Sequence, residues 1–139
     1  ITVPQISVLL DRIPESHRRM LENYLSFWRA HRDTLIGGAL YAEGTDAHYS
    51  MVRAEREREL IAIAYLPVPL TVKKGYDHVV LINGSSANTL AVRFEKGTAR
   101  MRWRILDCEG VLVEEGVVMG DGIDDYDVPE SGRLEFELL

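Results

Sequence analysis

The sequence predicts a mainly β protein, an antiparallel β-sandwich preceded by one long amphipathic α-helix. Two patterns support this fold class. Apolar residues recur at helical spacing between Pro14 and Leu35, and after Gly38 the chain changes to short apolar runs separated by turn residues. We therefore expect a helical segment over residues 1–38 and a C-terminal antiparallel β-sandwich over residues 39–139.

The predicted helix carries one broad apolar stripe. Eight residues fall on one side of a helix with 3.6 residues per turn: Met20, Leu21, Tyr24, Leu25, Phe27, Trp28, His31 and Leu35. Polar residues occupy the other side: Glu22, Asn23, Arg29, Arg32 and Asp33. Pro14 suits a first turn, and Gly37-Gly38 predicts a left-handed stop. We interpret the aromatic residues as core packing rather than as a ligand site.

The segment before the helix is apolar. Ile6, Val8 and Leu10 alternate weakly in the manner of a strand, but a short helix or an extended arm fits the segment equally well. The first residue is Ile1 rather than Met, so we expect the chain to be processed, trimmed or cut from a larger protein.

The segment from Arg53 to Leu66 gives conflicting signals. Its many Ala, Glu, Arg and Leu residues favour a helix. The apolar run Leu60–Tyr65, closed by Pro67 and Pro69, is instead typical of a buried strand. We predict a hairpin with its charged turn near Glu57.

The later strands follow clearer patterns. Met101, Trp103 and Ile105 alternate with three arginines, which predicts a strand with its apolar side inward and arginine outward. Either Glu114 or Glu115 is expected to oppose one of these arginines across the next turn. Further strands are predicted at Tyr49–Val52, Asp77–Ile82, Leu90–Phe94, Val111–Val113 and Leu134–Leu138.

Composition limits the class of function. The chain has 139 residues, of which 46% are hydrophobic, so it can bury one domain core. A net charge of -6 argues against general nucleic-acid binding, which needs a basic face. Its apolar runs are too short to predict a membrane span. The lone Cys108 excludes an internal disulfide and a cysteine-based zinc site, and we favour a cytoplasmic location.

Few catalytic or cofactor motifs are present. The sequence has no serine nucleophile elbow, no phosphate-binding Gly-Lys loop and no His-Glu-x-x-His motif, and the Gly120-x-Gly122 pattern lacks its third glycine. The histidines lie far apart in the sequence, and we expect each to be at the surface or packed: His17, His31, His48 and His78. No catalytic residue, cofactor site or metal site is predicted.

Carboxylates supply two weaker candidates. Four aspartates near Gly120 resemble an acidic calcium loop, but their spacing departs from that of an EF-hand and Tyr126 interrupts them: Asp121, Asp124, Asp125 and Asp127. A solvated acidic turn explains them more simply. Asp107 comes nearest to a carboxylate at the end of an apolar strand, as glycoside hydrolysis needs, but it also opens a turn.

The first third of the chain resembles a known family. Three stretches carry the resemblance: Pro4–Ser7, Ile13–Met20 and Phe27–Gly38. They are similar to the end of the catalytic barrel in α-galactosidases of the melibiase type, glycoside hydrolase family thirty-six and its clan neighbours. In that family a late barrel helix ends in a glycine-bearing turn, and an antiparallel β-sandwich follows.

The resemblance implies a non-catalytic C-terminal part of a retaining enzyme. The family uses two aspartates, one after a Lys-Trp pair and one after a serine. Neither element occurs here, because Trp28 and Trp103 both precede Arg and no serine precedes an aspartate. The catalytic barrel of the same polypeptide is then the implied partner, with further copies of the chain as a second. A carbohydrate-binding module is the alternative, in which exposed tyrosines stack on sugars: Tyr41, Tyr49, Tyr65, Tyr76 and Tyr126. A protein-interaction domain that offers its helix to a partner groove is the third reading.

Overall fold

A computed structural model describes residues 6–45 and 47–139. In this part of the chain one helix precedes ten strands. Their bounds are α1 Glu15–Gly37, β1 Ala39–Thr45, β2 His48–Arg56, β3 Glu59–Ala64, β4 Leu70–Val72, β5 His78–Asn83, β6 Thr89–Phe94, β7 Met101–Leu106, β8 Leu112–Val118, β9 Gly122–Asp127 and β10 Arg133–Leu138. The mainly β class with a leading helix is confirmed.

The strands form two sheets of mixed orientation. The large sheet has the order β1-β2-β3-β5-β10-β7-β8, and the small sheet has the order β4-β6-β9. Strand β3 runs parallel to β5, and β4 runs parallel to β6, whereas the other pairs are antiparallel. The prediction of purely antiparallel sheets was therefore wrong. The chain leaves the large sheet after β3, forms β4 in the small sheet, and returns as β5 in the original direction.

The two sheets enclose the main core in a sandwich-like arrangement. Residues of both sheets meet there, and Phe136 of β10 lies in edge-to-face contact with Phe94 of β6 and Tyr126 of β9. Met101 and Ile105 are buried in the same core, and Trp103 packs against it. The predicted inward face of β7 is thus confirmed. Glu115 pairs in register with Arg104, as the pattern predicted.

Helix α1 covers the other face of the large sheet. Phe27 and Leu35 pack there on Ile61 and Val80, and Trp28 and Ile82 lie beside them. The apolar stripe is half-buried or buried, except for Tyr24, which is 48% exposed. Asn23, predicted for the solvent side, instead faces the sheet and donates to the Cys108 carbonyl.

In the described residues no helix is apolar and long enough to cross a membrane.

The helix ends differently from the predicted left-handed stop. Gly38 has φ -76° and ψ 163°, which is extended backbone, and its N–H donates to the Thr34 carbonyl. Glycine is required there for a different reason. A Cβ on Gly38 would lie 2.8 Å from the Glu55 carbonyl oxygen and would also collide with the Thr34 carbonyl. The absence of a side chain lets the chain turn closely from α1 into β1 alongside β2.

The segment from Arg53 to Leu66 forms the predicted hairpin. Strands β2 and β3 pair from Met51↔Ala64 to Arg56↔Glu59, and Glu57 begins the two-residue turn with φ 54°. Strand pairing and burial of Leu60 and Ile61 outweigh the helical propensity of the charged residues. Residues 6–9, by contrast, form neither strand nor helix and are exposed. The earlier part of that segment lies outside the described residues.

Candidate functional site

The strongest cluster of chemically active side chains lies where α1 crosses the ends of two strands. Glu59 begins β3 and His78 begins β5, and the parallel register places these two residues side by side. Alternation along each strand turns both side chains to the helix-covered face, the face of Ile61 and Val80. His31 extends toward both side chains from α1, the helix that covers this face. Three separate elements thus bring together the histidine–glutamate cluster, defined as His31, Glu59 and His78.

One carboxylate oxygen joins the two rings. Glu59 Oε1 lies 2.7 Å from His31 Nδ1 and 2.9 Å from His78 Nδ1. The two imidazoles stack with their centroids 5.2 Å apart and their planes 14° from parallel. The Thr34 hydroxyl donates a hydrogen bond to the second oxygen, Glu59 Oε2. Both oxygens of the carboxylate are therefore held, and the side chain has little freedom to turn.

These contacts determine the charge of Glu59. Partial burial alone would raise its pKa, because burial disfavours the charged form. The hydrogen bonds from His31, His78 and Thr34 outweigh that effect and hold the pKa of this carboxyl well below its ordinary value. Glu59 is therefore a carboxylate across the whole physiological pH range.

The cluster is half-buried and opens to solvent on one side. Its inner wall is apolar, because the Phe27 ring packs against the His31 ring with a distance of 4.5 Å between the two ring centroids. On the outer side lies a cleft of about 370 Å³ lined partly by Thr34, Glu59 and His78. The rim carries an exposed ion pair, in which Arg58 Nε lies 2.5 Å from Asp77 Oδ2. The hydrogen bond from Arg58 also lowers the pKa of Asp77.

A second polar network anchors the middle of α1. Glu135 is a buried carboxylate of β10 that accepts hydrogen bonds from Arg133 at 2.6 Å and Arg104 at 3.0 Å. Arg133 also donates to Asn23 at 2.9 Å, and its guanidinium lies 5.3 Å from the centre of the Phe27 ring. Charge pairing and a cation–π contact thus join the helix to the sheet.

An apolar cleft lies beside this network, between α1 and the rim of the large sheet. It has a volume of about 390 Å³. Met20, Tyr24, Phe27 and Ile82 form its apolar walls, and His17 and Cys108 also line it. Most of its accessible surface is apolar, although polar residues also line it, and this suits an apolar side chain better than a sugar.

A further cleft gathers exposed aromatic residues. Tyr49 and Tyr65 line it together with Val52, Leu66 and His48, and its volume is about 650 Å³. Hairpin pairing of β2 with β3 brings these two tyrosines together, although they are distant in sequence. Of the other tyrosines proposed to stack on sugars, Tyr41 is exposed, Tyr76 is half-buried and Tyr126 is buried in the core.

The other sequence candidates have structural explanations. Asp107 Oδ1 accepts hydrogen bonds from the backbone N–H groups of Glu109 and Val111, so this carboxylate caps the turn before β8. Asp124 and Asp125 are neighbours on β9 and therefore point to opposite faces. Among the described residues, the acidic group at Asp121–Asp127 does not form a compact ligand cluster, whereas His31, Glu59 and His78 do.

The histidine–glutamate cluster was not predicted from the sequence. Each histidine was expected to be at the surface or packed, and none was paired with Glu59. One signal was present, since Glu59 directly precedes the apolar run Leu60–Tyr65 and His78 is the second residue of the predicted strand Asp77–Ile82. That pattern becomes informative only if the two strands are parallel neighbours, and an antiparallel sheet was predicted.

Comparison with protein-family models, with curated proteins and with solved structures finds no match to this chain.

Proposed function

We propose that the chain is a non-catalytic C-terminal β-sandwich domain of a glycoside hydrolase resembling the melibiase-type α-galactosidases. Its role is structural, namely to pack against the catalytic barrel of the same polypeptide or to join subunits. The parent enzyme would hydrolyse terminal α-galactosides by the retaining mechanism with two aspartates. The catalytic residues belong to the barrel and not to this chain.

One observation carries the packing role. Large apolar side chains are exposed on α1 and in the segment before it, and Tyr24 among them lines the apolar cleft: Val8, Leu9, Leu10, Tyr24 and Ile36. Exposed apolar side chains beside an apolar cleft are typical of contact with another protein surface. The order of a helix followed by a β domain, and the residues of the first third, favour a barrel as that surface.

The docking of α1 argues against the reading in which the whole helix enters a partner groove. Phe27 and Leu35, which such a groove would need, are already buried against Ile61 and Val80. The three large aromatic residues of α1, Tyr24, Phe27 and Trp28, are divided between solvent and the sheet. Tyr24 faces solvent, whereas the other two pack on the sheet.

A direct assay tests the absence of catalysis. The purified chain, incubated with an aryl α-galactoside, is expected to release no phenol above a buffer control. Turnover that survives repeated purification, and that is unchanged in a sample from a host lacking its own α-galactosidase, would contradict the proposal.

A second experiment tests the packing role. In a protein that contains this chain and its upstream barrel, Tyr24→Asp is expected to lower the melting temperature, because it places a charge in the contact. In the isolated chain the same substitution is expected to leave the melting temperature unchanged. Arg29→Asp, on the exposed side of α1, is the matched control. Equal effects of Tyr24→Asp in both proteins would argue against domain packing.

The cleft of Tyr49 and Tyr65 favours a second candidate function, carbohydrate binding. Sugars stack on aromatic faces, and two tyrosines at one cleft could hold neighbouring rings. Calorimetric titration with galactosides and oligosaccharides would then give heat that Tyr49→Ala removes and Tyr41→Ala retains. A chain with a purely structural role gives no heat in any of these titrations.

A further inference from the structure

We propose that the histidine–glutamate cluster is a binding site for a divalent transition metal of the Zn²⁺ type. The inference is independent of the glycoside hydrolase proposal, because it rests on three side chains and their surroundings. Nδ1 of His31, Nδ1 of His78 and a carboxylate oxygen of Glu59 meet at one point.

The donor set defines the class of metal. Two imidazole nitrogens and one carboxylate oxygen are ligands that zinc takes in sites with three protein ligands and one water. Calcium and magnesium instead prefer sites made entirely of oxygen ligands. The ligating atoms lie within 4.8 Å of one another, which places all three in reach of a single ion.

The distances need only a small adjustment. Bonds of about 2.1 Å in tetrahedral geometry separate two ligand atoms by roughly 3.4 Å. The Glu59–His31 and Glu59–His78 contacts are 2.7 Å and 2.9 Å, so each ring must withdraw slightly from the carboxylate. His78 and Glu59 remain partly accessible at the cleft, which leaves room for that movement and for a water ligand.

The surroundings already hold the carboxylate in place. Thr34 donates to Glu59 Oε2 and leaves Oε1 directed at both rings. Outer hydrogen bonds of this kind orient metal ligands in proteins. The apolar wall formed by Phe27 restricts water to the cleft side.

Metal binding would replace the hydrogen bonds between Glu59 and the two rings with bonds from these side chains to the ion. With no metal, each ring carries a proton on Nδ1 and donates it to the carboxylate. With zinc, each ring must carry its proton on Nε2 and present the Nδ1 lone pair to the ion. Because the ligands come from α1, β3 and β5, the ion would tie the helix to both strands.

Zinc titration of the whole chain tests the site. The experiments use Cys108→Ser as the background, because His17 and Cys108 line another cleft and would compete for zinc. After treatment with a chelator, we expect one equivalent of Zn²⁺ to bind in competition with a chromogenic chelator. Zn²⁺ is also expected to raise the melting temperature, whereas Mg²⁺ leaves it unchanged.

Two variants localise the binding. His78→Ala removes a partly accessible ligand and is expected to weaken Zn²⁺ binding by about tenfold or more, and Glu59→Gln keeps the side-chain shape while removing the charge, with the same expected loss. His48→Ala, at the exposed start of β2, is the matched control and should bind as the background does. If His78→Ala fails to fold by circular dichroism, Glu59→Gln decides. Zinc binding that both variants retain, or an unaltered chain that binds no zinc at micromolar concentration, would overturn the site and leave a hydrogen-bonded cluster.

Discussion

At the scale of single residues, Asn83 is the most highly connected buried polar side chain of the described structure. Its Nδ2 donates to the carbonyls of Ala87 and Val128, and its Oδ1 accepts from the Ser85 N–H and hydroxyl. The residue is fully buried at the end of β5. One side chain thus forms hydrogen bonds with backbone groups of the two loops that follow β5 and β9.

Asn83→Ala is expected to lower the free energy of unfolding by about 2–4 kcal/mol, because it leaves several buried groups without partners. Chemical denaturation followed by circular dichroism measures this loss. Asn88→Ala removes the same side chain from an exposed position nearby and should change stability by less than about 0.5 kcal/mol. Equal losses from the two variants would contradict the role given to Asn83.

Because Tyr126 is buried, we expect the folded state to lose stability at alkaline pH. Burial is the main cause that raises the pKa of its phenol above the ordinary value of 10.0, and the charge of Asp124 adds to it. Above the unfolded pKa, the unfolded chain releases a proton that the folded chain keeps, so the free energy of unfolding falls as pH rises. The fall from this residue approaches about 1.4 kcal/mol per pH unit above pH 10. Below that pH the contribution is fully present.

Tyr126→Phe should remove that part of the alkaline loss. Denaturation curves at a series of pH values from neutral to alkaline measure the slope in both proteins. Tyr49→Phe, at an exposed site, is the control and should leave the slope unchanged. A slope that Tyr126→Phe does not alter would show that the phenol ionises equally in both states.

Predictions about single residues were correct where the conformation or burial of the residue is determined by its neighbours in the sequence. The charged turn near Glu57 and the inward Met101 and Ile105 follow from neighbours in the sequence. The left-handed stop at Gly38 was wrong because the reason for that glycine is a strand, β2, that packs against it. A close approach between distant segments leaves no local signal.

At the scale of elements, docking of α1 depends on a few apolar side chains and on the Arg133–Glu135 network. Phe27 is the helix residue that connects them, since its ring contacts both His31 and the Arg133 guanidinium. Loss of this ring should therefore weaken the helix without altering the core between the sheets.

Phe27→Ala is expected to lower the free energy of unfolding by about 3 kcal/mol, near the lower end of the range for buried aromatic residues. Thermal and chemical denaturation measure the change. Tyr24→Ala lies one turn earlier on an exposed position and should cost less than about 1 kcal/mol. If Tyr24→Ala were as harmful as Phe27→Ala, the assignment of the docked face would be wrong.

Element types were predictable because the periods of the apolar residues differ between α1 and the strands. Their pairing was not predictable, because the parallel pairing of β3 with β5 requires a crossover through the small sheet. The histidine–glutamate cluster depends on that crossover and on the helix above it. The positions of His31, Glu59 and His78 in the sequence indicate their contact only once the parallel pairing of β3 with β5 and the docking of α1 are known.

At the scale of the whole molecule, we expect the central position of β10 to control the cooperativity of unfolding. This strand lies between β5 and β7, and its Leu134 and Phe136 are fully buried. Without it, the large sheet divides into two parts that share no strand pairing.

Truncation after Gly132 is therefore expected to abolish cooperative unfolding, and removal of Leu139 alone should preserve it. Thermal scans by circular dichroism and amide hydrogen exchange distinguish these outcomes. Retention of a sharp transition after removal of Arg133–Leu139 would show that the remaining strands can close the sheet by themselves.

The place of β10 also has a consequence for biosynthesis. A ribosome delivers the strand that joins the two parts of the large sheet after the other nine described strands. Until Arg133–Leu138 leaves the exit tunnel, β5 and β7 present unpaired edges, which are the surfaces by which nascent chains aggregate. Slow translation of the codons for β10 would therefore prolong the exposure of these edges.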